Sequence, residues 1–160
     1  MLYVVAWPML AEADDTALRR LRAQYHPHEA ELIGPHFTLV FGVPAAERQR
    51  LEDGLASLVG RRPFWFVLDR IVRHDSYLYA TPGEGGERLV ELYEQLNPTN
   101  GEPFEPHITL GLFAHAVQAE QVARIVERQN LPMHGRVEEL ALLQRVGDGL
   151  DTLLTVRLAG

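Results

Sequence analysis

The chain of 160 residues contains no cysteine and no lysine. Without cysteine it forms no disulfide, offers no thiolate nucleophile and ligates no metal through sulfur. All 15 basic residues are arginine. Any cationic contact with a phosphate must therefore come from arginine, histidine or a backbone amide. We expect a location in a reducing cytoplasm, with which the absence of cysteine is compatible.

Long apolar runs and an excess of positive charge are also missing. No stretch reaches the ~18 consecutive apolar residues that indicate a transmembrane helix. The apolar residues 2–7 lack a basic flank, which favours a first strand over a signal peptide. The net charge is −7 and the pI is about 5.5. Because extended nucleic acids bind largely through basic surfaces, we expect no membrane partner and no extended nucleic acid. The expected partner is a small nucleotide or an RNA end.

One four-residue pattern occurs twice, once in each half of the chain. Residues 36–39 read His-Phe-Thr-Leu and residues 107–110 read His-Ile-Thr-Leu. Each copy follows a proline and begins a run of residues typical of a strand. Repetition of a motif within a matching context indicates a duplicated structural unit with one histidine in each copy.

Both copies begin the same predicted order of strand, helix and hairpin. The first unit comprises a strand over 36–43, a helix from Pro44 to about 60, and strands over 64–73 and 77–81. The second comprises a strand over 107–113, a helix over 117–129, and strands over 137–146 and 150–158. A strand over 2–7 and a helix ending at Tyr25 precede the units, and a helix over 84–96 links them.

Apolar spacing predicts which side of each helix is buried. In the first helix Leu18, Leu21 and Tyr25 should face inward, and Arg19, Arg20 and Arg22 outward. In the linking helix Leu89, Leu92, Tyr93 and Leu96 should face inward, as should Val122, Ile125 and Val126 in the last helix.

Hairpins mixed with helices predict an α+β fold. We expect a single bilobal domain over residues 1–160, with the second unit beginning near 107. Its two pseudo-symmetric lobes would each hold a small, mainly antiparallel sheet with outer helices, and a central groove would lie between them.

Alternation along the two motif strands predicts a polar face and an apolar face. His36 and Thr38 share one face, as do His107 and Thr109, whereas Phe37, Leu39 and Phe41 should face the core. Histidine titrates near neutrality and serves as either general base or general acid. Two histidines and two hydroxyl donors meet the needs of acid–base chemistry on a phosphodiester, and this chemistry requires no metal.

The paired motifs resemble those of the two-histidine phosphoesterase superfamily, which includes bacterial RNA 2′,3′-cyclic phosphodiesterases, also called 2′-5′ RNA ligases. The stretch over residues 32–41, LIGPHFTLVF, is particularly similar to the first motif of the compact bacterial members. The resemblance implies a bilobal α+β hydrolase of RNA processing without a metal or other cofactor. It also implies that His36 and His107 are catalytic and that Thr38 and Thr109 bind phosphate. The chain departs from the family pattern at Leu112, where members often carry a basic residue.

Further residues on or near the motif strands are candidates for substrate binding. Phe113 lies on the histidine face by alternation and could stack on a base. Tyr77 and Tyr79 alternate with Leu78 on a neighbouring predicted strand, and either could contact a ligand. Arg70, with Arg73, is the local candidate to replace the missing basic residue.

The function that we predict is opening of 2′,3′-cyclic phosphates, or making and breaking of 2′-5′ linkages, on small nucleotides or RNA ends. Three alternatives remain open at this point: a nucleotide or RNA-end binding module without turnover, a metal hydrolase using His26, His28, Glu29 and His36, and a purely structural protein. The segment from His26 to Glu29 is otherwise expected to be a solvated turn.

Overall fold

A computed structural model describes residues 1–159 and confirms the predicted α+β class. The seven strands are β1 (Leu2–Leu10), β2 (Phe37–Val43), β3 (Phe64–His74), β4 (Tyr77–Pro82), β5 (Ile108–Leu112), β6 (Met133–Val146) and β7 (Gly149–Arg157). The five α-helices are α1 (Glu12–Tyr25), α2 (Pro27–Leu32), α3 (Arg48–Ala56), α4 (Gly86–Leu96) and α5 (Ala116–Gln129). A short 3₁₀ turn, Ala45–Glu47, precedes α3.

Antiparallel pairing joins all seven strands in the order β1-β2-β5-β4-β3-β6-β7. Because β1 also pairs with β6, six of these strands form a closed circuit, and β7 pairs with β6 beside it. Hydrogen bonding therefore connects what the sequence predicts as two sheets. One connection between the two motif strands is the pair Phe37↔Ile108.

The two sequence units exchange strands. The hairpin β3–β4 of the first unit pairs with β5 of the second unit, and these form a three-stranded half. The motif strand β2 of the first unit pairs with β1, which pairs with the hairpin β6–β7 of the second unit, and these form a four-stranded half. Each histidine motif consequently belongs to a half that is completed by the other unit's hairpin.

The helices cover the apolar side of this circuit. α4 packs against β2, α5 against β3, and α1 against β5. The four predicted inward residues of α4 are all buried. In α5 the prediction is right for Val122 and Val126 but wrong for Ile125, which is 44% exposed. None of the helices within residues 1–159 combines the length and the apolar composition needed to cross a membrane.

A bulge interrupts each motif strand directly after its threonine. The consecutive residues Val4 and Val5 of β1 pair with Val40 and Thr38 of β2. Leu39 is therefore the extra residue in β2. In the same way, the consecutive residues Leu78 and Tyr79 of β4 pair with Gly111 and Thr109 of β5. Leu110 is therefore the extra residue in β5. A bulge reverses the alternation of side chains beyond it. Phe41, expected in the core, is accordingly 54% exposed.

Candidate active site

The two motifs meet because β2 and β5 are antiparallel neighbours. Their register pairs Phe37 with Ile108. Continuing that register by one residue in each direction sets His36 opposite Thr109, and Thr38 opposite His107. Side chains opposite each other across two strands have Cβ atoms about 5 Å apart. The four polar residues thus form a compact cluster with approximate two-fold symmetry.

This cluster opens into a cavity of about 400 Å³. His36, Thr38, His107, Thr109 and Tyr77, all expected from the sequence to be site residues, line it. The remaining lining residues are Tyr3, Val5, His26, Glu29, Leu32, Ile33, Phe41, Tyr79, Leu143, Arg145 and Leu150. A volume of this size is within the range of small-molecule binding sites, which begins at ~300 Å³.

Both imidazoles are oriented by the same local hydrogen bond. Nδ1 of His36 donates to the carbonyl oxygen of Gly34 at 2.8 Å, and Nδ1 of His107 donates to that of Glu105 at 2.9 Å. In each case the acceptor lies two residues earlier, across a proline whose fixed φ helps to hold the carbonyl in place. Since a carbonyl only accepts, Nδ1 carries the proton and Nε2 is left for exchange of a proton with a ligand.

Burial lowers the pKa of His36 below its ordinary value. The hydrogen bond to Gly34 opposes this effect, and the nearby charge of Arg22 adds to it. Smaller contributions come from Glu29, which raises the pKa, and from His107, which lowers it. Burial and the charge of Arg22 thus both favour a neutral imidazole at His36.

Burial also lowers the pKa of His107, but its surroundings favour the imidazolium more. The Glu105 carbonyl and the Glu105 carboxylate both raise this pKa, and only His74 adds to the lowering. The ring of Tyr79 stacks on His107 with centroids 3.8 Å apart and an interplanar angle of 23°. An aromatic face over an imidazolium stabilises its positive charge.

A buried arginine connects the backbones of the two motif segments. The apolar spacing of α1 predicts that Arg22 faces outward, which is wrong, because Arg22 is 2% exposed. Its Nε donates to the carbonyl of Thr109 at 3.1 Å, and its Nη1 donates to that of Ile33 at 2.8 Å. Nη2 is buried without a hydrogen-bond partner in the described structure. The rigid guanidinium fork allows one side chain to bind two carbonyls from distant segments.

The segment after α1 contributes to the cavity wall, and its expected solvated turn is wrong. Residues 27–32 form α2, with Pro27 in the first turn, where proline is favoured. His26 and Glu29 line the cavity, whereas His28 is exposed. Within residues 1–159, no group of three or more histidine or acidic side chains has an arrangement that could hold a metal ion.

Arg145 is the only arginine among the described residues that line the cavity. It lies near the end of β6, and its Nε donates to the carbonyl of Gly147 at 3.1 Å. Leu112 is 45% exposed and does not line the cavity. Arg70, the expected substitute cation, also lies outside it and donates from Nε to Thr81 Oγ1 at 3.4 Å.

The structure places Phe113 in the core rather than in the cavity. It is 5% exposed and packs on Tyr25 with ring centroids 5.1 Å apart. The expectation followed simple alternation from His107, which the bulge at Leu110 reverses. Gly111, also assigned to the histidine face, is buried, and a Cβ there would lie 2.6 Å from Tyr25 Cβ.

Sequence reasoning missed Arg145 and Arg22 as parts of the site. Tyr79, expected together with Tyr77 as a candidate ligand contact, lines the cavity. Arg145 had no signal in the sequence, since it reaches the site from an element remote in sequence from both motifs. Arg22 lies on the helix that precedes the first motif, but the apolar spacing of that helix assigns it to the outward face.

Solved structures with the same fold include proteins of Escherichia coli and Thermus thermophilus. Escherichia coli LigT complexed with 3′-AMP matches at a TM-score of 0.68 and 20% identity, over 99% of this chain and 98% of that chain. The same protein complexed with ATP matches at a TM-score of 0.67 and 21% identity, over 99% and 98%. The protein TT0787 of Thermus thermophilus matches at a TM-score of 0.61 and 21% identity, over 98% and 97%.

Comparison by sequence with curated proteins gave no significant match. A family model does match, over residues 8–149, and its description is the 2′-5′ RNA ligase superfamily. The matched range contains both histidine motifs and most of the strand circuit. The chain therefore belongs to the 2′-5′ RNA ligase superfamily of two-histidine phosphoesterases.

Proposed function

We propose that this protein is a metal-independent phosphodiesterase that opens 2′,3′-cyclic phosphates, or makes and breaks 2′-5′ linkages, on small nucleotides or RNA ends. The observation that carries the proposal is the convergence of His36 and His107, each held by Nδ1, on one cavity. The superfamily supports phosphodiester chemistry on RNA ends in general terms. The complexes of LigT with 3′-AMP and ATP support a small nucleotide as the ligand.

Opening of a cyclic phosphate would proceed by attack of water on phosphorus. Nε2 of a neutral imidazole removes a proton from the water as the new P–O bond forms. Nε2–H of the other, protonated imidazole donates its proton to the ribose oxygen as the old P–O bond breaks. The two rings finish with their protonation states exchanged. Hydroxyl groups of Thr38 and Thr109 donate to the non-bridging oxygens, where negative charge develops.

The same groups would act on a 2′-5′ linkage. The neighbouring ribose hydroxyl, deprotonated by the base, attacks phosphorus and forms the cyclic phosphate. The acid protonates the departing 5′ oxygen. Ligation is the reverse reaction, in which a 5′ hydroxyl attacks the cyclic phosphate.

The surroundings of the two rings support different starting roles in cyclic phosphate opening. Arg22 disfavours the imidazolium form of His36, which suits that ring to be the base. Glu105 and the stacked Tyr79 favour the imidazolium form of His107, which suits that ring to be the acid. We assign His36 as the initial base and His107 as the initial acid.

The test compares His36→Asn and His107→Asn on two classes of substrate. With 2′,3′-cyclic AMP or a 2′-5′ adenosine dinucleotide, each substitution should lower kcat by about 10²- to 10⁴-fold. With a nucleoside 4-nitrophenyl phosphodiester, the leaving group needs no proton. This ester is cleaved by attack of the neighbouring ribose hydroxyl, the reverse direction of ring opening, so His107 acts as the base and His36 as the acid. His36→Asn should then retain most of the wild-type rate, whereas His107→Asn should not.

His134→Asn is the matched control, because His134 is exposed on β6 and lines no part of the cavity. Full activity of either motif variant on the natural-type substrates would end the proposal. Loss of activity in chelator with recovery in zinc would favour the metal hydrolase. Nucleotide binding by the wild-type protein without turnover of any substrate would favour the binding module.

A further inference from the structure

A second cavity, of about 570 Å³, adjoins the first. The two cavities share Phe41, Tyr79 and His107, so they meet at one of the paired histidines. The loop between α4 and β5 forms much of the second cavity, and its lining residues there are Asn100, Glu102, Pro103, Phe104 and Glu105. A phosphate held between His36 and His107 would consequently have a cavity on each side.

The wall of the second cavity contains a fixed aromatic surface. Phe104 stacks on Tyr93 of α4 with centroids 4.1 Å apart and an interplanar angle of 5°. Tyr93 is 6% exposed, and its hydroxyl accepts a hydrogen bond of 2.8 Å from Asn100 Nδ2. An aromatic ring held by packing is a surface on which a nucleobase of any type can stack.

The loop also supplies the acidic side chains of the second cavity, whose other titratable side chains, apart from its tyrosines, are His74 and His107. The backbone N–H of Glu102 donates to Asn100 Oδ1 at 3.0 Å, which ties the acidic residue to the aromatic wall. Among the described residues that line this cavity there are two carboxylates, Glu102 and Glu105, and no arginine. The first cavity has a different balance of side chains, with Arg145 as well as Glu29.

The two cavities, one on each side of the phosphate, should therefore differ in the charge of the substrate group that they accommodate. Carboxylates accept hydrogen bonds from the amino groups of bases and from ribose hydroxyls. They repel a further phosphate, and within a few ångströms this repulsion is only partly screened by water. A charged strand is better accommodated on the side of Arg145.

We infer that the second cavity binds an uncharged nucleoside joined to the reacting phosphate and discriminates against a phosphate on that nucleoside. The inference rests on the proposed function and narrows its substrate class. The favoured substrate is a short 2′-5′-linked end whose nucleoside in the second cavity is terminal and unphosphorylated.

The experiment compares three 2′-5′-linked adenosine dinucleotides: one without terminal phosphate, one with a 5′-phosphate and one with a 3′-phosphate. Only one of the two terminal phosphates is carried by the nucleoside in the second cavity. For that dinucleotide, the kcat/KM of the wild-type protein should be about fivefold lower than its kcat/KM for the unphosphorylated dinucleotide. Glu102→Gln should remove most of that difference. Glu127→Gln changes the net charge equally but lies on α5 outside both cavities, and it should leave the ratio unchanged.

A second variant tests the aromatic wall independently of charge. Phe104→Leu should raise KM for the unphosphorylated dinucleotide about tenfold, because stacking is lost. Phe104→Tyr should restore most of the affinity. This comparison measures the ligand contact, since both substitutions keep a large, mainly apolar side chain against Tyr93.

Equal turnover of all three dinucleotides by the wild-type protein would overturn the inference, as would a discrimination that Glu102→Gln leaves intact. Either result leaves the proposed function standing, because the dinucleotides are still cleaved. Absence of turnover of every dinucleotide and every cyclic phosphate would instead refute the proposed function itself.

Discussion

At the scale of single residues, the site depends on how two imidazoles share protons. In each ring Nδ1 donates a hydrogen bond to a backbone carbonyl, and Nε2 is left to exchange a proton with a ligand. Burial is the largest reason that both pKa values are lowered. Burial therefore favours two neutral rings, although the proposed reaction needs one neutral and one protonated ring.

This requirement predicts the pH dependence. The productive form is most abundant between the two pKa values, both of which lie below the ordinary value for imidazole. The plot of kcat/KM against pH should be bell-shaped, with its maximum on the acid side of the ordinary imidazole pKa. A bound phosphate favours imidazolium, so the kcat profile should be displaced to higher pH. A kcat/KM maximum on the alkaline side would contradict this account.

Charged and titratable neighbours set the remaining shape of the profile. Arg22, Glu29 and His107 act on His36, while Glu105 and His74 act on His107. His26, whose own pKa is lowered chiefly by burial, also lines the cavity. The profile of His26→Asn provides the control that separates its titration from that of the paired histidines.

The ring stacked on His107 leads to a second prediction at this scale. Tyr79→Ala removes the aromatic face from the imidazolium and should lower kcat about three- to tenfold, as expected for loss of one stacking contact. Tyr79→Phe keeps the ring and should retain most of the wild-type rate. Steady-state kinetics on a cyclic phosphate distinguishes the two. Equal losses in both variants would assign the effect to the hydroxyl group instead.

At the scale of secondary structure, α1 acts on the site through Arg22. Arg22→Met leaves the carbonyls of Ile33 and Thr109 without their donor, and this should lower the free energy of unfolding by about 1–3 kcal/mol. Removal of the positive charge should also raise the pKa of His36, which moves the acid limb of the kcat/KM profile to higher pH.

Chemical denaturation and pH–rate profiles together test this role of Arg22. Arg19→Met is the control on the same helix, since Arg19 is exposed and forms an exposed ion pair with Asp15. Its free energy of unfolding should change by at most ~0.5 kcal/mol. An unchanged profile in Arg22→Met would show that Arg22 serves the fold alone.

The elements themselves could be predicted largely from apolar spacing and turn residues. The predicted strand over 77–81 and the helix over 117–129 each differ from the structure by one residue at one end. The two motifs identified the four central polar residues because the pattern occurs twice in matching contexts. Apolar spacing does not show which strands pair or which distant side chains come into contact. Exchange of hairpins between the units, and the contributions of Arg22 and Arg145, depend on contacts between residues far apart in sequence.

The bulges explain where prediction failed within an element. Alternation holds from His107 to Thr109 and then reverses at Leu110, which moves Phe113 into the core. The same reversal at Leu39 moves Phe41 out of the core and into the cavity wall. Neither leucine differs in type from an ordinary strand residue, so the sequence carries no local mark of the bulge.

At the scale of the whole molecule, charge limits the length of nucleic acid that the chain can hold. The net charge is −7, and one arginine lines the first cavity among the described residues. Turnover of an RNA end should therefore depend weakly on salt, with a slope of log kcat/KM against log salt concentration of about −1 to −2. Lengthening the RNA beyond the end nucleotides should not raise kcat/KM. Efficiency that grows steadily with RNA length would contradict this prediction.

The closed circuit of strands determines when the cavity between the two motifs can be assembled during synthesis. The pair Leu2↔Gln144 joins positions near opposite ends of the chain, and the hairpin that completes the half containing His36 comes last. Contacts of such long sequence separation form late and slowly. A nascent chain that ends before β6 already contains both histidines but lacks the strands that complete the half containing His36, so the cluster of His36, Thr38, His107 and Thr109 is not yet assembled.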